Sequence, residues 1–417
     1  MLTLDEVLAG DVRRWVDFDV EVRRTWWYRG SPRTPREAAA VDACAPDGRL
    51  REAAVARLAV GPDPEALPLL LIRCVDWVPQ VRDAARGAVV SKLDESALRA
   101  MLPLVAMLRR RQVDGWMTTL FRDALPSLLD GALALGDRES RRWAHGEAIR
   151  AGLLSSDRLR QITLRDNDFR IRTSCGDALL DRGEAVEELL ADGTPPVRMR
   201  ALTLLGDDTA VAHLADRASA VRSMAQALVL KAGGDPAAHY RELPDSAGVL
   251  AGLGETGTSE DAGRLERNLA DERPRFRALA VRGLRRVASE STAVRPLLTD
   301  PSPAVTRQVV EFLRGKPALV DVPALRTLLS PANPVHTRRA AATLLRDRDT
   351  WLRLHTDLTL LRDPELGEGA QQDLYACRDH MANVYTQPSA RLRAEIEAAC
   401  IGLEPALARG IRLSLGT

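Results

Sequence analysis

The sequence predicts an all-α fold in which short helix pairs stack into an α-solenoid. The chain has 417 residues, 45% of them hydrophobic and 28% charged, which is typical of a soluble, folded protein. The prediction rests on a recurring phrase, on apolar residues at helical spacing after each copy, and on a shorter apolar segment between copies. Because one such pair is too small to bury its own apolar face, neighbouring pairs must stack.

The recurring phrase is an aspartate, two variable residues, a proline, one further residue, an apolar marker residue and usually an arginine. The spacing of adjacent markers runs from 24 residues (Val197 to Val221) to 31 residues (Leu50 to Val81), and degenerate copies are expected in two longer gaps. The clear copies begin at Asp76, Asp192, Asp271 and Asp300, the last with Thr306 in place of arginine, and looser copies lie at Asp166, at Asp216, near Leu50 and near Pro334.

The residues after each marker predict a helix. Val81, Ala85 and Val89 recur at steps of four, which places them on one helix face. The proline two residues before the marker suits a first helical turn, and Thr194 and Ser302 supply a hydroxyl just ahead of it that could cap the helix. Each copy of the phrase therefore marks a helix start.

A second apolar segment between copies completes each unit. Residues 66–72 and 265–269 are examples, entered through turn sequences at Gly61 and Gly254. Each unit is thus predicted to be a helix pair. The stretch 231–261 is rich in Gly, Pro, Ser and Asp and predicts a looser loop or hinge.

The two ends lack the phrase and predict caps. We expect N-terminal capping helices in residues 1–45, the repeat solenoid in 46–350 and a C-terminal helical cap in 351–417. Apolar residues at helical spacing, interrupted by Asp19, predict the N-terminal helix: Leu8, Val12, Trp15, Val22 and Trp26.

These features resemble the HEAT-like repeats, in particular the short form known from phycobilin lyase-related proteins. In those repeats the Asp, the Pro and the apolar-Arg pair open the second helix of each unit, and residues 60–82 and 250–277 match the repeat through its length. The resemblance covers residues 51–345, with 90–165 poorly matched. It implies an α-solenoid that serves as an interaction surface, and it says little about activity.

The helix-start arginines are candidate partner-binding residues, because stacking would align them as a ladder along the inner rim. In the alternative interpretation, the turn aspartate five residues before each marker pairs with an arginine of its own or the adjacent unit and ties the turns together. The ladder consists of Arg51, Arg82, Arg172, Arg198, Arg222 and Arg277.

Trp26, Trp27 and Tyr28 are a second candidate site. Consecutive aromatic residues on a helix point in different directions, so one of them should lie off the apolar stripe and be able to anchor a partner. Alternatively, the capping helix buries all three against the first repeat. The isolated tryptophans, Trp77 among them, are expected in the core.

The charge balance bears on the partner. Lysine and arginine number 59 against 58 aspartate and glutamate, and the two signs are balanced in each quarter of the chain. A nucleic-acid-binding module usually shows a basic excess or stripe. The balance lowers the expectation of DNA or RNA binding without excluding a basic patch on one face.

Nothing in the sequence predicts a catalytic residue, a metal site or a cofactor. The five cysteines are far apart with no Cys-x-x-Cys pair, which predicts a reducing compartment, and the six histidines have no metal-cage spacing. The run Gly252 to Gly257 fits Gly-x-Gly-x-x-Gly but follows no predicted strand. Without a leader or a long apolar run, we expect a cytoplasmic protein with no membrane contact.

The first functional hypothesis is a non-enzymatic scaffold that binds a protein or peptide partner on its concave face. The alternative is a HEAT-like DNA-binding protein or alkylpurine DNA glycosylase, which the resemblance allows and which Arg109–Arg111 with Trp116 keep open against the charge balance. Bilin attachment is a third hypothesis that rests on the resemblance alone.

Overall fold

The computed structural model describes residues 4–25, 34–61, 65–111, 115–381 and 384–415, without the side chains of Asp192 and of residues 378–381. These residues form α-helices and short 3-10 segments, and no β-strand occurs among them. The predicted all-α fold is confirmed. No helix in this part of the chain is both long enough and apolar enough to cross a membrane.

The chain divides into two compact units, Met1–Ala201 and Leu202–Thr417. The helices up to the unit boundary are α1 (Leu4–Leu8), α2 (Arg14–Arg24), α3 (Pro35–Asp42), α4 (Gly48–Val60), α5 (Ala66–Arg73), α6 (Pro79–Lys92), α7 (Glu95–Leu108), α8 (Trp116–Ala124), α9 (Leu129–Leu133), α10 (Arg138–Arg150), α11 (Ser156–Arg165), α12 (Phe169–Asp181), α13 (Val186–Asp192) and α14 (Pro195–Leu205), which contains the boundary.

The second unit continues with α15 (Asp207–Ala210), α16 (Ser219–Lys231), α17 (Pro236–Glu242), α18 (Ala247–Thr256), α19 (Ala262–Arg267), α20 (Pro274–Val287), α21 (Pro303–Leu313), α22 (Val322–Leu328), α23 (Val335–Arg346), α24 (Thr350–Leu360), α25 (Gly367–Met381), α26 (Ala390–Ala399) and α27 (Pro405–Leu415). Short 3-10 segments lie at Val211–His213, Ser259–Asp261, Asn268–Ala270, Thr292–Thr299 and Pro317–Leu319.

Successive helix pairs stack within each unit, as predicted. In the first unit α5 packs between α4 and α6, and α11 and α10 pack on α12. In the second unit α18, α20, α21, α23 and α24 each contact the next helix of that series, with α19 and α22 beside them. We call the helices that follow the recurring phrase the second helices; they are α4, α6, α12, α14, α16, α20, α21 and α23.

The phrase places these helix starts correctly. Pro79, Pro274 and Pro303 stand in the first turns of α6, α20 and α21, where a missing N–H has no helical partner to lose. Ser302 is the residue before α21, but its hydroxyl makes no capping hydrogen bond. That expectation was wrong for Ser302. The turn before α21 is closed instead by the Asp300 carboxylate, which accepts a hydrogen bond from the Ser302 backbone N–H.

The predicted stripes are buried. Val81, Ala85 and Val89 on α6 have no accessible surface, and Phe276 and Ala280 on α20 are also buried. Steps of four place these side chains on the face that packs against the preceding and following helices. The helical register read from the phrase is therefore correct.

The stretch predicted as a loose loop, residues 231–261, is instead largely helical. It contains α17 and α18, and the glycines of α18 are buried. A Cβ atom on Gly252 would lie 2.1 Å from the Tyr240 ring, and one on Gly254 would lie 2.6 Å from the Cα of Gly283. Glycine is needed here for the close approach of helices, which composition alone does not distinguish from a loop.

The described residues of both ends are largely helical. The predicted N-terminal helix is two helices, α1 and α2, with Trp15 and Val22 buried on α2. The C-terminal segment forms α24–α27 around a core that includes Trp351, Leu374 and Ile396. The predicted boundaries at residues 45 and 350 stay a prediction.

Val81→Asp should lower the free energy of unfolding by about 3 kcal/mol or more, because an ionised carboxylate would enter the core unpaired. Val90→Asp is the matched control on the same helix, since Val90 is 71% exposed; its effect should stay below about 0.5 kcal/mol. Urea denaturation measures both, and equal midpoints for the two variants would show that the register of α6 is wrong.

Gly254→Ala should destabilise the protein by about 1–3 kcal/mol, because the added methyl group overlaps the backbone of Gly283. In the control Gly263→Ala the nearest atom is the mobile end of Arg267 at 3.9 Å. There alanine should be neutral or stabilising by up to about 1 kcal/mol, through helix propensity. Thermal denaturation in which both variants are equally stable would contradict the close packing of α18 on α20.

Candidate functional site: the arginine ladder and an exposed tryptophan

An aspartate side chain closes the turn before five of the second helices, namely α6, α12, α16, α20 and α21. Asp76, Asp216 and Asp300 each accept a hydrogen bond from the backbone N–H two residues further on, at 3.0, 2.7 and 2.8 Å. This Asx turn directs the chain into the helix. The phrase therefore begins with aspartate because its carboxylate reaches the local backbone.

The arginine at the helix start donates back to the same turn. Its Nη1 atom lies 2.5 to 3.2 Å from the carbonyl oxygen of the residue six positions earlier in five ladder members, Arg51, Arg82, Arg172, Arg222 and Arg277. Arg198 donates to the carbonyl oxygen of Gly193, five positions earlier, at 3.0 Å. One guanidinium edge is thus committed to its own turn.

In three ladder members, Arg51, Arg222 and Arg277, the other edge, formed by Nε and Nη2, binds a carboxylate further along the chain. Arg51 binds Asp76 at 2.9 Å through each nitrogen, and Arg277 binds Asp300 at 2.7 and 2.9 Å. These bidentate contacts join one helix start to the following turn. The pairing alternative from the sequence describes this geometry.

The same contact recurs with an acid that the phrase does not contain: Arg222 binds Glu255 at 3.1 and 2.6 Å. Arg338 on α23 differs, because it binds Asp363 through Nη1 and Glu365 through Nη2. Glu255 stands at the end of α18, so its role depends on the fold and not on the phrase. Sequence comparison of the units could not identify it.

A degenerate unit in the poorly matched region keeps the pairing as well. Arg141 on α10 binds Asp166 at 3.0 and 3.2 Å, and Arg142 binds Asp168 at 3.0 Å. The sequence before α10 lacks the proline. The 25-residue distance from Arg141 to Asp166 is the signal that could have revealed this unit.

Thr306 shows what the arginine position needs. Its hydroxyl lies 3.4 Å from the carbonyl oxygen of Asp300, the acceptor that arginine uses in other units. The His336 ring nitrogen Nε2 also lies 2.9 Å from that oxygen. The Thr306 hydroxyl and the His336 imidazole, on two shorter side chains, therefore replace one guanidinium at this turn.

The structure places the predicted ladder largely inside the fold. Arg51, Arg198 and Arg222 are buried, while Arg82 and Arg277 keep 17% and 12% of their side chains exposed. Their described contacts are with this chain. Buried ion pairs of this kind fix register more than they add net stability. The candidates Trp26, Trp27 and Tyr28 lie outside the described residues.

A buried charge network extends from the first ladder contact. Arg73 binds Asp76 at 3.0 Å and also binds Asp19, which is 2% exposed. Arg23 and Arg111 approach Asp19 at 3.3 and 3.5 Å. Asp19, which interrupts the apolar pattern of the sequence, is buried because Arg73, 54 residues away, neutralises it.

Trp77 follows this network in the turn before α6. Its side chain is 62% exposed, so the expectation that it lies in the core was wrong. The guanidinium carbons of Arg23 and Arg51 lie 4.6 and 4.4 Å from its ring centroid. Cation–π contacts with two paired arginines hold the ring in an exposed position.

A cleft of 570 Å³ lies beside Trp77 and is lined by Val20, Ile72, Val75 and Arg111 as well as the charged network. Val20 is 46% exposed. The cleft thus combines an exposed aromatic ring, exposed aliphatic surface and a partly exposed guanidinium.

A second cavity, of 620 Å³, lies between α22, α24 and α26. Trp351 closes one wall, where its indole Nε1 donates to the carbonyl oxygen of Thr386 at 3.0 Å. Arg326 and Glu395 form an ion pair at 2.8 Å on the opposite side. Its polar groups are therefore paired within the chain.

Burial shifts the pKa of several titratable groups among the described residues. All five cysteines are free and buried, and burial raises the pKa of Cys74 and of Cys175 to about 12. Burial lowers the pKa of His145, whose Nδ1 lies 2.8 Å from the Arg141 carbonyl oxygen. Across the described ranges, no three His, Cys, Asp or Glu side chains are placed to hold a metal ion.

Comparison with known proteins finds no matching family model and no matching curated protein. Among solved structures the chain is similar to Kap121p, with 13% identity and a TM-score of 0.30, covering 98% of this chain and 50% of that one. It is also similar to Kap121p bound to RanGTP, with 16% identity and a TM-score of 0.27, covering 92% of this chain and 41% of that one. The chain spans half or less of the length of these structures.

Arg277→Gln should lower the free energy of unfolding at pH 7 by about 2–4 kcal/mol, because the buried Asp300 carboxylate loses its bidentate partner. Arg99→Gln is the control: the Arg99–Glu95 pair, at 2.9 Å, is 60% and 64% exposed. Its loss should cost less than about 1 kcal/mol. Urea denaturation measures the difference.

The effect of Arg277→Gln should also depend on pH. Burial acts to raise the pKa of Asp300, but hydrogen bonds from Arg277 and from the Ser302 N–H outweigh it and hold that pKa below its ordinary value. The wild type keeps this stabilisation above the unfolded pKa, about 3.9, and loses it as pH falls through the folded pKa. The gap between wild type and variant should therefore be fully present at pH 7 and shrink as pH falls below about 4, and a gap that stays constant there would contradict this role of Asp300.

Proposed function

We propose that the chain is a HEAT-like repeat scaffold, without catalytic activity of its own, that binds a protein or peptide partner with Trp77 as an anchor. The observation that supports this most is the exposure of a tryptophan that the fold holds in place. Stacked helical repeats offer extended surfaces of the kind that bind chains.

Trp77 meets the requirements of an interface anchor. Tryptophan is enriched among the residues that contribute most to protein interfaces. The Trp77 ring lies against the Arg51 guanidinium, which Asp76 holds in place. The Trp77 side chain therefore loses little conformational entropy when a partner binds. Val20 and the neighbouring cleft provide apolar surface that a partner can cover.

We propose that the predicted site residues contribute to binding together with this anchor. Trp26, Trp27 and Tyr28 follow α2 directly in the sequence, and α2 also contains Val20 and Arg23. Arg82 opens the helix that follows Trp77 and keeps part of its side chain exposed. We propose that the partner continues from Trp77 along the second helices of the first unit, on the face that stacking is predicted to make concave.

Trp77→Ala should weaken partner binding by about tenfold or more, as expected for a central aromatic anchor. Tyr385→Ala is the control, because Tyr385 is an aromatic residue with 97% exposure elsewhere on the chain. Tagged wild-type and variant proteins would be compared for the partner they retain from the source cell, followed by titration of that partner.

The folded state should change little in either variant, with less than about 1 kcal/mol lost on removing the cation–π contacts of Trp77. Partner retention that is equal in wild type and Trp77→Ala, or lost equally in both variants, would reject Trp77 as the anchor.

A further inference from the structure

Three neighbouring second helices concentrate positive charge that the balanced composition conceals. Helix α20 contains five arginines and no acidic residue, α21 contains one arginine and Glu311, and α23 contains three arginines and no acidic residue. The whole chain, in contrast, has 59 basic and 58 acidic residues. The excess therefore belongs to this part of the second unit.

Four of these arginines are already paired. Arg277 and Arg338 bind the carboxylates of the next turns, and Arg346 binds Asp357 at 2.5 Å. Arg285 lies 3.7 Å from Glu311. Glu311, the acidic residue of these helices, is therefore also paired.

The remaining five arginines are exposed, and the described residues give their side chains no ion pair. They form what we call the arginine face: Arg275, Arg282, Arg286, Arg307 and Arg339. On α20 they follow one another at steps of seven and four, which places them on one side of the helix. The other side holds Phe276, Ala280 and Leu284, which are buried.

The three helices run parallel and in register. At their starts, Arg277 binds Asp300 before α21, and His336 on α23 lies 2.9 Å from the Asp300 carbonyl oxygen. At their ends, Lys316 after α21 donates to the carbonyl oxygen of Ser289 after α20 at 2.8 Å. Equivalent positions of successive helices therefore face the same way.

In this register Arg307 and Arg339 are equivalent, each two residues after the marker. On α20 the equivalent position is Ala278. Arg275 lies three residues before it and Arg282 four residues after it, on the same side of the helix. A guanidinium from each helix can therefore reach one line across the face. Packed helices are about 8–10 Å apart, so these groups recur at roughly that interval.

The arginine face has no apolar anchor. None of the exposed large hydrophobic side chains of the described residues lies on α20, α21 or α23. The aromatic residues of these helices, Phe276 and Phe312, are buried. A partner on this face must be held by its negative charge.

We propose that the arginine face binds an extended acidic segment of a protein partner, with carboxylates about three residues apart. A chain in the extended polyproline II conformation advances about 3.1 Å per residue and makes one turn every three residues, so every third side chain lies on the same side and would meet the arginine of the next helix. This inference rests on the proposed function in one respect, namely that the partner is a protein.

The structure favours a protein carboxylate over nucleic acid. Equivalent arginines of the same helices, Arg277 and Arg338, already bind carboxylates of this chain. The face lacks an exposed aromatic platform on which unpaired bases could stack. Glu311 stands within it, and the chain as a whole has almost no net charge to attract a polyanion over distance.

The test is fluorescence anisotropy with a labelled peptide of repeated Glu-Gly-Ser, added to the full-length protein at low salt. The variant combines Arg275→Gln, Arg282→Gln, Arg307→Gln and Arg339→Gln. The control makes the same change of net charge in exposed arginines off the face, namely Arg217→Gln, Arg267→Gln, Arg295→Gln and Arg362→Gln.

The peptide should bind the wild type, more weakly as salt rises, and the face variant should lose about tenfold to a hundredfold in affinity. The control variant should retain wild-type affinity. A peptide with the same glutamates placed consecutively should bind more weakly than the spaced peptide. Because all eight positions are exposed, circular dichroism should show both variants folded.

Four results would overturn the proposal: no binding of the spaced peptide at low salt, equal losses in the face and control variants, equal binding of spaced and consecutive peptides, or tighter binding of a DNA duplex through the same arginines. The proposed function has a separate test in Trp77→Ala. If partner binding depended on Trp77 but the spaced peptide did not bind, this inference would be rejected and the proposed function would stand.

Discussion

The fold depends on one recurring interaction, the bridge between a helix-start arginine and the carboxylate of the next turn. Arg51 with Asp76 and Arg277 with Asp300 show its geometry: one guanidinium edge binds its own turn and the other binds the following unit. Apolar stripes could pack in more than one register, because they are non-directional. A bidentate ion pair in a buried turn has one geometry, and it therefore fixes how successive units align.

This use of arginine decides which residues remain for function. A guanidinium with both edges bound inside the fold, such as that of Arg51 or Arg277, has few donors left for a partner. Trp77 is exposed because the paired arginines beneath it occupy the space that a core tryptophan would fill. The arginine face consists of the exposed arginines of α20, α21 and α23 whose side chains have no ion pair among the described residues.

Close packing is the second constraint, and glycine meets it in the second unit. Gly254 and Gly283 bring α18 and α20 together with no side chain between them. Tyr240 fills the space left at Gly252, and its hydroxyl donates to the Leu214 carbonyl oxygen at 2.6 Å. A segment that composition describes as flexible is therefore among the most tightly packed of the fold.

The sequence by itself determined the helix class, the helix starts and the buried stripes, because each depends on residues within one or two turns of one another. It also contained the aspartate–arginine pairing as one of two interpretations. Only the tertiary structure shows which charged residues pair, since partners such as Asp19 and Arg73 are brought together from distant positions. Exposure of Trp77 and segregation of the arginines also depend on which neighbours each face meets. Local spacing fixes a side chain's direction on its helix, but what lies in that direction is set by the packing of other helices.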